Sequence, residues 1–337
     1  MKLLLVRLGA LGDIVHALPV AAALRERYPD AQIDWLVDAR HAAILGFVPV
    51  VSGRAVVDFR RTADVLHEVG RLRRERYDVA IDLQGLVKSA AFAWLSGAAR
   101  VIGFDRRHLR ERAASIFYSE HVNSGDVAHV IDKNLSVLDV FGIGERRRRF
   151  PIAVPASSAL EPVAGRVAHD GRRGFALVNP GAAWPNKRWP PGRFGAAAAW
   201  IAEAHGLLPV VLWGPGEQDL AIRVVDASMG AAMLAPRTGI GDLLALSRGA
   251  RLMLSGDTGP LHLAAAVGTP IVALFGPTDP ARNGPWDDAD ISLSRYGECV
   301  CHYQRRCRRS RACIEDISVE DARGAIDQRL AAAERHV

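Results

Sequence analysis

Three short stretches hold residues whose types and spacing could do chemistry. In SGDTGPLHLAAAVGTPIVALFGPTDP (255–280), Asp257, Thr258 and Gly259 fall between an apolar run and a helix expected to begin near Pro260. Free backbone N–H groups and the positive end of that helix dipole would make such a loop an anion site suited to a diphosphate. Gly259 permits close backbone approach, Thr258 adds a hydroxyl donor, and His262, one turn in, could reach the same phosphates. The competing reading is that Asp257 and Thr258 only cap the helix.

A second loop, NPGAAWPNKRWP (179–190), places Lys187 where a point charge could neutralise phosphate oxygens. A third, LWGPGEQD (212–219), offers Glu217 for ribose hydroxyls, by analogy with acidic residues at ribose sites of other nucleotide folds. The amino-terminal LGALGDIVHALP (8–19) sets Asp13 between a glycine turn and a helical stretch. A carboxylate there could be the general base for an incoming hydroxyl, or the N-cap of a helix starting near Ile14. No GxxxxGK[ST] occurs and no GxGxxG follows a strand, which disfavours a P-loop NTPase and a dehydrogenase.

These loops need a scaffold that gathers them. Apolar bursts such as KLLLVRL, IDWLVD and DVAIDLQG alternate with amphipathic stretches, the pattern of a parallel sheet covered by helices. The pattern restarts at GFALVNPG, so two doubly wound α/β domains of Rossmann type are expected, facing a central cleft: 1–155, a linker at 156–173, and 174–317. The last stretch, 318–337, reads as a helix with Ser318 as N-cap and Asp321 closing a capping box, and is expected to pack back on the first domain.

The 337 residues, 49% of them hydrophobic, suffice for two cores. No run of about 18 apolar residues lacks a charge or breaker, and the start of the chain is too soon interrupted for a secretory signal, so a cytoplasmic protein is expected. The net charge of +6 favours anionic partners. Nucleic acid is disfavoured because no basic stripe is interleaved with aromatics. The four cysteines, Cys299, Cys301, Cys307 and Cys313, fall in one C-terminal segment, where a structural thiolate metal site competes with free thiols or disulfides.

The ordered motifs LGALGDIVHALP, IDLQGLVKSA (81–90), LRERAASIFYSEHV, HVIDKN, NKRWP and SGDTGPLHLAAAVGTPIVALFGPTDP resemble glycosyltransferase family 9, the ADP-heptose glycosyltransferases of lipopolysaccharide core synthesis. The resemblance spans nearly the whole chain and is nearest the branch acting on a Kdo acceptor. It implies a GT-B fold and an inverting transfer of L-glycero-D-manno-heptose from ADP-heptose to a Kdo residue of Kdo-lipid A, with no cofactor or metal required. It implies Asp13 as catalytic base, Lys187 relieving charge on the departing ADP, and Asp257, Thr258, Gly259 and His262 binding the donor. Arg60 and Arg61 stand where relatives bind Kdo carboxylate or phosphate; Lys88, Arg110 and His129 are further acceptor candidates.

Two features depart from that branch. Ala182 and Ala183 stand where its members usually carry hydroxyls, and GECVCHYQRRCRRSRACIEDIS resembles a segment more typical of members that add heptose to heptose. That acceptor is the alternative; a nucleotide-sugar epimerase and a non-catalytic nucleotide-sugar-binding module are the remoter ones. The basic runs RLRRERY (71–77) and ERRRRF (145–150) suit weak peripheral contact with an anionic inner-membrane leaflet, by a protein expected to be monomeric.

Overall fold

The computed structural model describes residues 1–335; residues 336 and 337, the end of the expected C-terminal helix, lie outside the described residues. The chain divides into two compact units, Met1–Ala153 and the remainder from Val154.

In the first unit, β1 (Lys2–Val6), β2 (Gln32–Asp38), β3 (Gly53–Val57), β4 (Val79–Asp82), β5 (Arg100–Phe104) and β6 (Glu120–Val122) form a sheet in the order β3-β2-β1-β4-β5-β6. Every pairing is parallel. The second unit repeats this with β7 (Phe175–Asn179), β8 (Leu208–Val211), β9 (Met233–Leu234), β10 (Met253–Gly256), β11 (Ile271–Phe275) and β12 (Ile291–Ser294), ordered β12-β11-β10-β7-β8-β9. Helices cover the sheets, so the inner strands are buried on both faces and read as unbroken apolar runs: Leu3, Leu4, Leu5 and Val6 in β1, and all of Ile271–Phe275 in β11, are fully buried.

Each sheet reverses its strand order once, between β1 and β4 in the first unit and between β7 and β10 in the second. At such a reversal the loops leaving neighbouring strands run to opposite faces and open a crevice beyond the carboxyl ends, where doubly wound sheets bind ligands. The Asp13 loop follows β1; the Lys187 and Asp257 loops follow β7 and β10.

Two expectations change. Residues 156–173, read as a linker, contain the helix Leu160–His169, anchored by the buried Val163. A single inward apolar side chain in a Pro- and Ser-rich stretch is too sparse a period to detect. The helix Val319–Glu334, expected on the first domain, packs instead against the helix Pro191–His205 and against β11 and β12. Ala322, Ala325, Ile326 and Leu330 belong to the second core, and Asp327 Oδ1 takes bonds from Trp200 Nε1 at 2.8 Å and His205 Nε2 at 2.7 Å. Its capping box forms as read: Ser318 Oγ accepts from the Asp321 N–H at 2.9 Å and Asp321 Oδ2 from the Ser318 N–H at 3.1 Å.

Candidate active site

In the first unit the loops after β1 and β4 are tied together. Arg7, the residue after β1, is buried; its Nη1 donates to the Leu83 carbonyl and its Nη2 lies 2.7 Å from Asp13 Oδ1. The Leu8 N–H donates to Gln84 Oε1 at 2.7 Å. Below them Asp82, fully buried, accepts from the Gln84 and Gly85 N–H groups, Ser89 Oγ and Tyr118 Oη. Burial pushes the Asp82 carboxyl up, and these four bonds oppose that rise. IDLQGLVKSA is therefore a polar scaffold under the Asp13 loop.

Asp13 is the third residue of the helix Leu11–Val15, which starts earlier than expected, so Ala10 and not Asp13 holds the N-cap position. Asp13 Oδ2 accepts from the Ala10 N–H at 2.9 Å, so the side chain reaches back over the helix start. With Arg7 on the other oxygen the carboxylate is fixed in direction, yet its side chain keeps 43% exposure against 9% for Arg7. Gly9, at φ +151°, lies so close to the His41 ring that a Cβ would stand 2.4 Å from His41 Cδ2, so no larger residue fits the turn. Burial pushes the His41 imidazole down. Neither Arg7 nor His41 was singled out from the sequence; a charged residue directly ending an apolar strand was the available signal for Arg7.

In the second unit Asp257 is the hub. Its Oδ2 lies 2.5 Å from Lys187 Nζ and accepts from Thr278 Oγ1 at 2.8 Å; its Oδ1 is 3.3 Å from His262 Nε2. Burial acts to raise the Asp257 carboxyl, but the His262 bond and the Lys187 charge outweigh it and hold the group well below the usual carboxylate range. Asp257 is thus filled by protein partners and positions Lys187 and His262. Lys187 also lies over the Trp184 ring, 4.6 Å from its centroid.

Thr258 occupies the N-cap position of the helix Gly259–Ala266, but its hydroxyl makes no cap bond and takes Asn179 Nδ2 at 3.0 Å. The same Asn179 nitrogen donates to Ser255 Oγ at 2.9 Å, stitching β7 to β10 beneath the loops. Glu217 accepts from the Gly214 N–H at 3.2 Å, lies 3.9 Å from Arg188, and packs so tightly on Gly181 that a Cβ there would stand 2.2 Å from Glu217 Oε2. Arg188 Nε donates to the Ala182 carbonyl at 2.7 Å. Asn179 and Thr278 carry little signal in sequence, because their role depends on strands distant along the chain.

The acceptor candidates of the first unit differ from one another. Arg60 and Arg61 are exposed after β3; Arg60 forks onto Asp58 through Nε (2.9 Å) and Nη2 (2.8 Å). That fork holds the Asp58 carboxyl below its usual range. Arg40, after β2, makes the same two bonds to Asp38 at 2.9 Å each, a repeated Asp-x-Arg clamp unnoticed in the sequence. Lys88 Nζ sits 3.6 Å from the centroid of the Phe59 ring, and Arg110 is exposed. His129 is buried at the N-cap of the helix Val130–Leu135, its Nδ1 accepting from the Ile131 N–H at 3.2 Å. It is placed as a helix cap and not as a surface cation, because the apolar residues after it draw that turn inward.

No helix among the described residues is long and apolar enough to cross a membrane. Cys299, Cys301 and Cys313 are buried together with Cys307 against them, all as free thiols.

Comparison with known proteins gives a consistent assignment. The sequence profile of glycosyltransferase family 9 (heptosyltransferase) matches residues 67–312. Lipopolysaccharide heptosyltransferase 1 of Pseudomonas aeruginosa is 30% identical over 327 residues, covering 91% of this chain and 87% of that protein. Lipopolysaccharide heptosyltransferase 3 of Escherichia coli is 28% identical over 333 residues, covering 95% and 96%. The structure of the E. coli heptosyltransferase WaaC with ADP superposes with a TM-score of 0.77 at 23% identity over the whole of both chains, which places this chain in the two-domain GT-B fold. The chain therefore belongs to glycosyltransferase family 9, the heptosyltransferases.

Proposed function

We propose that this enzyme moves L-glycero-D-manno-heptose from ADP-heptose to a Kdo residue of Kdo-lipid A, with inversion at the anomeric carbon. The observation that carries the reading is the use of both strand-order reversals: one presents an oriented, accessible carboxylate and the other a lysine beside a helix N-terminus. Glycosyl transfer, and not epimerisation or passive binding, is the reaction class of the family.

Asp13 takes the proton of the attacking acceptor hydroxyl as its oxygen bonds to the anomeric carbon. The bond from that carbon to the donor diphosphate breaks, and its electron pair leaves with ADP. Lys187 and the N–H groups at the start of the helix Gly259–Ala266 meet the charge that develops on the diphosphate. Thr258 and Gly259 line the same turn, while Asp257 and His262 hold Lys187 in place; Glu217 is assigned to the ribose. The relief needed at the leaving group is thereby supplied without a catalytic metal.

Arg60, Arg61, Lys88 and Arg110 suit an acceptor carrying carboxylates and phosphates, because guanidinium forks match both groups. The enzyme is assigned to the cytoplasmic face of the inner membrane, as a monomer in weak peripheral contact. A second reading, transfer to a heptose acceptor, is favoured by the full-length similarity to a heptosyltransferase 3. Mass spectrometry after incubation with ADP-heptose and excess EDTA decides between them. A heptose-sized increase on Kdo-lipid A supports the first reading; an increase only on a heptose-bearing acceptor transfers the assignment to the second.

A further inference from the structure

The segment between β12 and the helix Val319–Glu334 contains little regular structure, yet it buries three of its four cysteines. Cys299 Sγ lies 3.5 Å from Cys301 Sγ, and Cys301 Sγ lies 3.3 Å from Cys307 Sγ; Cys313 is buried in the same cluster. The separations are too long for disulfides, whose sulfurs stand about 2 Å apart. They approach the roughly 3.8 Å edge of a tetrahedron with metal–sulfur bonds of about 2.3 Å.

A backbone donor points at one of the same sulfurs: the Cys301 N–H donates to Cys299 Sγ at 3.4 Å. Such N–H···S bonds support thiolate charge, as the outer shell of a metal site does. Arg305, Arg306 and Arg308 lie between Cys301 and Cys313 and would offset the charge of a tetrathiolate, while Arg309 and Arg311 are paired with Asp316.

We propose that Cys299, Cys301, Cys307 and Cys313 together bind one thiophilic divalent ion, of the zinc or ferrous class, as a structural tetrathiolate site. Among the described residues no metal-ligand group is already gathered round one point, and the sulfurs of Cys299, Cys301 and Cys307 run as an open chain with Cys313 buried beside them. Binding closes that chain round the ion and releases the four thiol protons. The closed loop would brace the Lys187 region: Asn186 Nδ2 donates to the Gln304 carbonyl at 2.8 Å, and the Tyr303 N–H donates to the Pro277 carbonyl at 2.9 Å, beside Thr278. The inference does not depend on the acceptor or donor assigned above.

The test is elemental analysis of the full-length protein purified under mild reductant and dialysed against EDTA. The expected result is about one zinc or iron per chain, released by a mercurial together with four titratable thiols. Cobalt added to the stripped protein should give the intense near-ultraviolet charge-transfer band of thiolate ligation. Cys307→Ser, at the least buried of the four positions, should lower metal content and weaken the cobalt band. Only trace metal, both as purified and after incubation with zinc under reductant, overturns the proposal. A mass deficit of one or two disulfides in metal-free protein from the same preparation also overturns it.

Discussion

Lys187 Nζ lies 2.5 Å from Asp257 Oδ2, and both side chains are largely withdrawn from solvent, at 14% and 5% exposure. The residues are far apart in sequence and meet only because β7 and β10 are neighbours at the strand-order reversal. A buried lysine needs a counter-charge. Asp257 supplies it, and the Thr278 hydroxyl and His262 lie against the same carboxylate.

Asp257→Asn should therefore destabilise the second unit as well as impair transfer. Removing one partner of a buried pair leaves the other uncompensated, which costs about 3–5 kcal/mol. Denaturant unfolding should show a clear fall in midpoint with little change in slope. A midpoint equal to that of the parent protein would mean that Lys187 does not depend on this carboxylate.

Asp13→Asn tests the base. The amide keeps the shape of the carboxylate but cannot accept the acceptor proton, so kcat should drop by about 10²–10⁴-fold. Calorimetric ADP affinity should stay within about twofold, since the assigned donor residues are in the other unit. Turnover at the parental rate would remove Asp13 from the reaction.

Arg7 is a positioning residue for that base, held by the Leu83 carbonyl and bonded to Asp13 Oδ1. Arg7→Met should lower kcat by about 10–100-fold through misplacement of the carboxylate, while KM for the donor changes little. Arg7→Lys, which restores a cation without the fork, should recover part of the loss. An equal loss in both variants, accompanied by a fall in Tm, would point to a merely structural role.

The doubly wound architecture was legible because its inner strands are apolar on both faces and its loops are rich in Gly, Pro and Asn. The loops that carry Asp13, Lys187 and Asp257 were legible because they follow such strands. What stayed hidden was the pairing: that Asp257 is spent on Lys187, that Arg7 orients Asp13, and that Asp82 underpins both neighbouring loops. Each depends on which strands lie side by side, which local pattern does not report. The cap made by His129 was hidden for a related reason, since a histidine ahead of VIDKN does not report that the helix it caps is buried.

Asp290 gives a pH signature independent of catalysis. It is buried at the amino end of β12, accepting from Arg329 Nε and the Ile271 N–H at 2.8 Å each. Burial outweighs these partners and pushes its carboxyl from 3.8 up to about 6. Between those values the folded chain binds more proton than the unfolded one, so this group's stabilisation is complete below about pH 4 and is lost as the pH rises through about 6. A shift of that size corresponds to about 3 kcal/mol. Asp290→Asn should be less stable overall, because Arg329 loses its counter-charge, but its Tm should decline less steeply than the parent's from pH 4 to pH 6.5. Parallel Tm profiles for the two proteins over that interval would show that Asp290 stays ionised throughout, and that its bonds to Arg329 and Ile271 outweigh its burial.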